Sequence, residues 1–211
     1  MDILSSIGTT MIKGDVEQLK ELINEAQNQG YEQQVIINDG LIASMMELGE
    51  KFKDNQVFIP EVLVAAGAMK EAINSLGFEN VSDTTKPKGT VIIGTVRHDM
   101  HDIGKNLVAL MLKSGGFKVY DLGIDVQPET FIESVRRIKP DLVALSALLT
   151  TTMEEMKIVI EALEKEGVRD DVCILVGGAP VTNEYASSIG ADGFAGDAVS
   201  AVSKAIELIE S

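Results

Sequence analysis

The chain has 211 residues, 45% of them hydrophobic, with 19 Gly, 5 Pro, a single Cys and no Trp. That is the composition of one or two globular domains; it excludes a collagen-like, disordered or disulfide-stapled chain. The net charge of −15 is spread along the sequence, with 7 basic and 14 acidic side chains in residues 1–88 and 11 and 19 in residues 89–211, so both halves repel a phosphate backbone and nucleic acid is not an expected partner.

No stretch approaches eighteen consecutive apolar residues, so no membrane span is expected. The N-terminus lacks the basic flank and apolar core of a signal peptide. The lone Cys173 suits a reducing compartment, and a cytoplasmic location is expected.

Helical periodicity dominates the first part of the chain. A short opening helix is predicted around Ile3, Leu4, Ile7 and Met11. Val16, Leu19, Leu22, Ile23 and Ala26 form a second apolar stripe, with Asp15 as N-cap and Gly30 closing the segment. Ile37, Leu41, Met45, Leu48 and Phe52 form a third, at steps of 4, 4, 3 and 4. Val62, Ala66, Met69, Ile73 and Leu76 form a fourth, close to a heptad seam. Together they predict a four-helix bundle over residues 1–80. Residues 79–89 are polar and without period, and they contain Pro87 and Gly89. A linker is therefore placed at 81–89.

From residue 90 the period changes. Short β-branched runs at Val91–Val96, Val119–Ile124, Leu142–Leu148, Val172–Val176 and Gly193–Ala195 read as strands. Helical segments at about 104–115, 129–138, 152–166, 182–189 and 197–210 lie between and after them. Strands without in/out alternation, separated by helices, predict an α/β domain over 90–211: a five-stranded parallel sheet, flavodoxin-like and covered on both faces. Ligands of such a sheet bind at the C-terminal strand ends, beside the switch point.

The loop after the first strand holds both histidines of the protein, in Arg97-His98-Asp99-Met100-His101-Asp102-Ile103-Gly104-Lys105-Asn106. A P-loop needs Gly five residues before the Gly-Lys pair and Ser or Thr after it; Asp99 and Asn106 stand there. A dinucleotide fingerprint needs three close glycines, whereas Gly94 and Gly104 are ten apart. A phospho-receiver would end its third strand with an acceptor Asp, and this strand ends Ser146-Ala147-Leu148. Asp99-x-His101 has the spacing at which a carboxylate orients a metal-binding imidazole. A bare zinc ion would want three or four ligands, whereas a metal already held by a macrocycle needs only an axial one. The solvated-loop reading of the histidines, and simple His-based metal binding, stay open on spacing alone.

Asp99-x-His101-x-x-Gly104, Ser146-x-Leu148 and Gly177-Gly178, in that order at the ends of strands 1, 3 and 4, resemble the cobalamin-binding domain of corrinoid methyltransferases. The segment from Gly49 to Val62 is similar to the helical cap that precedes such domains, as in methionine synthase. The whole chain resembles the corrinoid carrier proteins of anaerobic methyltransferase systems.

The resemblance implies a cobalamin or related corrinoid bound base-off and His-on, with His101 as lower ligand to cobalt. Asp99 would hydrogen-bond that imidazole and Thr152 would partner the Asp. Ser146, Leu148 and Thr150 would line the slot for the displaced nucleotide tail. Gly177, Gly178 and Ala179 would leave room for it, because a Cβ there would collide with the ligand, and Gly196, Asp197 and Ala198 would close it. Met100, Asp102, Ile103 and Gly104 complete the lower loop, and Phe52, Ile59 and Val62 would cover the methyl-bearing face. The family more often has Gly at the position of His98, which suggests a positive φ there and makes His98 a bystander.

The implied role is non-catalytic: carrying a methyl group in one-carbon metabolism between a substrate-specific methyltransferase and a second methyltransferase, with a reductive activation protein as third partner. A cobalamin-dependent sensor is the alternative. In each case a residue-level reading without a ligand also exists. Leu148 and Phe52 suit an apolar core, Thr150 and Thr152 suit a helix start, and Cys173 suits an inert strand position.

Overall fold

The computed structural model describes residues 2–54, 56–77 and 87–210. Most of the linker expected at 81–89 lies outside the described residues. The chain forms two compact units, residues 1–87 with 113–116, and residues 88–112 with 117–211.

The first unit is helical. Helix α1 (Ile3–Lys13) ends at Gly14 with φ +76, and α2 (Val16–Asn28) starts at Asp15, whose carboxylate accepts the Gln18 N–H at 3.1 Å. The expected third helix is not uniform. It opens with a single turn at Gln33–Val35, continues as a π-helix over Ile36–Ile42 and becomes α-helical in α3 (Ala43–Lys53). Two successive apolar steps of four drift by about 80° on an ideal α-helix, and the wider π turn takes up that drift. Ile37, Leu41, Met45 and Leu48 thereby all stay buried. Gly8 of α1 lies so close to α3 that a Cβ there would sit 1.8 Å from Ser44 Oγ.

Helix α4 (Ile59–Ser75) is capped by Glu61, whose carboxylate accepts the Phe58 N–H at 2.8 Å. Its Val62, Ala66, Met69, Ile73 and Leu76 stripe is buried, as the near-heptad spacing predicts. Each large apolar side chain so buried contributes roughly 1.5–3 kcal/mol relative to exposure.

The second unit alternates strands and helices: β1 (Thr90–Thr95), α5 (Ile103–Ser114), β2 (Lys118–Asp121), α6 (Pro128–Ile138), β3 (Leu142–Ser146), α7 (Glu154–Lys165), β4 (Cys173–Gly177), α8 (Asn183–Ser188), β5 (Gly193–Ala195) and α9 (Ala198–Glu210). All strand pairings are parallel, in the order β2-β1-β3-β4-β5. Chain direction across the sheet reverses between β1 and β3, so the switch point lies between their C-terminal ends.

Strand termini are level there: Thr95 pairs with Ser146, Ser146 with Gly177, and Gly177 with Ala195. The β1, β3 and β4 strands are buried over nearly their whole length, which is why they show no alternation. A core of Ile92, Val143, Leu145, Ile174 and Val176 packs with Phe131 and Val135 of α6 and Met156, Val159 and Leu163 of α7.

Candidate functional site

The loop after β1 is held by its own polar atoms. Thr95 Oγ1 donates to the His101 carbonyl at 2.8 Å, which folds the loop back over the strand end. Asp99 is fully buried, and both its carboxylate oxygens are engaged. Oδ2 accepts the Thr152 hydroxyl at 2.6 Å and the Leu148 N–H at 2.8 Å. Oδ1 accepts the His101 N–H at 3.1 Å and lies 2.7 Å from His101 Nδ1. Burial opposes charge on this carboxyl, but the donors from Thr152, Leu148 and His101 outweigh it. They hold Asp99 far below the usual carboxylate range.

An ionised Asp99 accepts only, so Nδ1 of His101 is the nitrogen that donates to it, and Nε2 is the nitrogen left outside that contact. The His101 side chain is 48% exposed, so Nε2 is presented outward from a rigid buried base. Among the described residues no group of three or more His, Cys, Asp or Glu is placed to hold a metal ion. A single presented imidazole fits a metal that arrives with its equatorial positions filled.

The two loops that meet at Asp99 carry exposed apolar side chains: Met100, Ile103, Leu148 and Leu149. Such a cluster suits a broad apolar ligand. Asp102 and Gly104 are exposed, Asp102 accepting from Asn106 at 3.1 Å. A Cβ on Gly104 would find open space. Ser146 is half-buried at the end of β3, Thr150 is exposed, and Thr152 is buried against Asp99 instead of capping α7.

Gly177 and Gly178 stand at the end of β4 as expected, and the fold gives a reason for glycine there that does not depend on a ligand. A Cβ on Gly177 would lie 2.8 Å from the Ala195 carbonyl oxygen, and one on Gly178 would lie 1.9 Å from that of Ala147. Gly178 also has φ +130. Neighbouring backbone already excludes a side chain there. Ala179 and Gly196 are exposed. Asp197 caps α9, accepting the N–H groups of Val199 and Ser200 at 2.9 and 2.8 Å, and Ala198 is buried behind it. In the helical unit Phe52 is half-buried, Ile59 exposed and Val62 buried; Phe58, Leu63 and Val64, not among the residues expected to cover the methyl-bearing face, are the more exposed apolar residues.

His98 has φ +66, the conformation its position suggested. Sequence reasoning missed three supports of the loop. Arg97 makes a two-point ion pair with Glu155 of α7, at 2.9 and 3.2 Å. The buried Lys105 of α5 donates to Asp121 at 2.5 Å, and Asp125 accepts the His98 N–H at 2.7 Å. Their partners lie 58, 16 and 27 residues away, so no local spacing reveals them.

Comparison with known proteins sets this geometry in context. The family described as B12 binding domain matches residues 89–206, and a second family of the same description matches residues 5–76. The chain is 44% identical to the trimethylamine corrinoid protein of Methanosarcina barkeri, over 96% of this chain and 94% of that protein. It is 41% identical to dimethylamine corrinoid protein 2 of Methanosarcina acetivorans, over 99% and 93%. A chain in the crystal structure of the methanol:cobalamin methyltransferase complex from Methanosarcina barkeri superposes with a TM-score of 0.84 at 30% identity, covering 99% of this chain and 80% of that one. With these matches running along both units, and one imidazole presented at the ligand edge of the sheet, the chain belongs to the corrinoid proteins built on B12 binding domains, and its cofactor is a corrinoid such as cobalamin.

Proposed function

We propose that the protein carries a methyl group on corrinoid cobalt between a substrate-specific methyltransferase and a second methyltransferase that passes it to an acceptor. His101 is the axial ligand, with the corrinoid's own base displaced. The observation that carries the reading is the buried Asp99, fixed by Thr152 and Leu148, with His101 Nδ1 at 2.7 Å and Nε2 facing out.

A bound corrinoid supplies a cobalt centre able to accept and release a methyl group; the protein supplies position, ligation and shielding. Asp99 holds the imidazole in the tautomer that leaves Nε2 available. Thr152 and the Leu148 amide keep that carboxylate ionised in a buried place. Met100, Ile103, Leu148 and Leu149 offer apolar contact to the macrocycle. Ser146 and Thr150, with the β4 and β5 loops of Ala179 and Gly196 to Ala198, border the course assigned to the nucleotide tail. The helical unit is assigned the role of shielding the methyl group, on the strength of the match over residues 5–76 and the open side chains Phe58, Ile59, Leu63 and Val64.

The relatives named for trimethylamine and dimethylamine favour a methylamine as methyl source. The partners are then a methylamine methyltransferase, the acceptor-side methyltransferase and a reductive activation protein. The net charge of −15 favours basic rims on all three.

Reconstitution with hydroxocobalamin tests the reading. The wild type should bind stoichiometrically and show axial histidine imidazole in its visible spectrum and, after reduction to Co(II), in its EPR spectrum; His101→Ala should lose that signature and His98→Ala should keep it. A wild type that leaves the hydroxocobalamin spectrum unchanged, or a His98→Ala variant that alone loses the imidazole signature, overturns it.

A further inference from the structure

We propose that Asp125, on the loop after β2, is a positioning residue for His101, acting through the backbone of the β1 loop. Among the described residues only His98, Asp125 and Lys139 combine a side chain with positive φ, at +66, +51 and +52. The first two are in direct contact. The Asp125 carboxylate accepts the His98 N–H at 2.7 Å, and the Asp125 N–H donates to the Asp99 carbonyl at 3.0 Å. Two residues in a sparsely populated backbone region therefore clamp each other across 27 positions of sequence.

The clamp grips the two residues on which the imidazole depends. The Asp99 side chain is fixed from the β3 side by Leu148 and Thr152, and its peptide is fixed from the β2 side by Asp125. The β2 loop is itself anchored at both ends. Asp121 accepts Lys105 Nζ at 2.5 Å and the Gly123 N–H at 2.9 Å, while Val126 bridges Val96 and donates to the Thr95 carbonyl at 3.0 Å. Lys105 lies four residues beyond His101 in the chain, so the backbone and these anchors together run from His101 through Lys105, Asp121, Gly123, Asp125 and Asp99 back to His101.

Asp125 is exposed, and its carboxylate is not needed to fill a core. A strained residue held with its acceptor on a backbone donor beside the imidazole's partner has a positional role.

The inference rests on His101 being the presented imidazole, as above, and is read first in the apoprotein. Asp125→Gly removes the acceptor while tolerating the positive φ; Asp125→Asn keeps an acceptor oxygen and also tolerates it. The protein has two histidines, so side-chain nitrogen NMR resolves the His101 tautomer directly. The wild type should hold the Nδ1–H form. Asp125→Gly should admit the Nε2–H form, and Asp125→Asn should restore the wild-type pattern. After loading of 15N-histidine-labelled protein with hydroxocobalamin and reduction to the paramagnetic cobalt state, the fraction showing splitting from a labelled histidine nitrogen should follow the same order. Its loss in Asp125→Gly should be at most about tenfold, because Asp125 stands one step further out than a direct partner of the ligand.

The proposal is overturned if Asp125→Gly keeps the wild-type tautomer and splitting, even with a lowered melting temperature, or if Asp125→Asn loses them equally. Hydrogen exchange at the His98 amide of the wild-type apoprotein needs no variant: protection is expected, and exchange at the free-peptide rate overturns the proposal. Failure of the function itself looks different. The wild type then leaves the hydroxocobalamin spectrum unchanged, while the apoprotein tautomer still reports on Asp125.

Discussion

Both ends of the five-stranded sheet use aspartates to pin one strand to its neighbour, exposed at the N-terminal end and buried at the C-terminal end, and the two ends are charged differently. At the N-terminal end Asp141 accepts the Thr90 N–H at 2.7 Å and Asp192 accepts the Ile174 N–H at 2.6 Å. Asp192 is neutralised by Arg169, whose guanidinium also reaches the Val172 and Gly190 carbonyls. At the C-terminal end Asp99 performs the same stitch to Leu148, but its remaining partners are a hydroxyl and an imidazole. The lower end is a closed ion pair whose work is finished on folding. The upper end keeps a buried negative charge whose partner imidazole has one nitrogen still to use. The same residue type builds structure where a fixed cation answers it and a site where none does.

The comparison can be broken first at the upper end. Asp99→Asn keeps the shape but loses the charge, and corrinoid retention should weaken about 10–100-fold by equilibrium dialysis. Its pH signature is distinct. The folded carboxyl binds a proton more weakly than the unfolded one, so its stabilising contribution is complete above the unfolded value of about 4 and disappears as pH falls through the folded value. Apoprotein melts should therefore show wild type above Asp99→Asn at neutral pH, with the gap closing only below about pH 4. A gap that stayed constant into acid would assign the loss to packing.

Next in size, Arg169→Ala at the lower end should cost about 1–3 kcal/mol in denaturant unfolding, since it strands two carbonyls and a carboxylate. It should leave the loaded spectrum unchanged. A spectral change there would mean that the two ends are coupled. The smallest effect sharpens the contrast: His98→Gly should stabilise by about 0.5 kcal/mol, as glycine relieves the left-handed strain at an entropic cost in the unfolded chain. The imidazole signature should remain, because the proposed axial ligand is His101.

Much of this was legible in the sequence. Strand and helix order followed from the change of period near residue 90, and parallel burial from the absence of alternation in Val91–Val96. The Asp99–His101 pair was legible because it is local: two residues of spacing bring carboxylate and Nδ1 together. The π-helical turn at Ile36–Ile42 was not, since apolar steps of four suit α and π turns alike. Asp125 was equally hidden, because its role depends on the φ angles of two loops meeting across the β1–β2 edge. Arg97 and Lys105 have no assigned role in the sequence reading, and only the fold shows one half-buried against Glu155 and the other buried against Asp121.

Gly178 carries a lesson for motif searches. Its side of the turn is closed by the Ala147 carbonyl, 1.9 Å from where a Cβ would be, whether or not anything is bound. A chain of this fold that had exchanged its cofactor for another, or lost it, would be under the same pressure to keep glycine there. A Gly-Gly pair after the fourth strand thus diagnoses how tightly β4 turns against the β3 loop. The burden of diagnosing the ligand falls on the histidine and its buried acid.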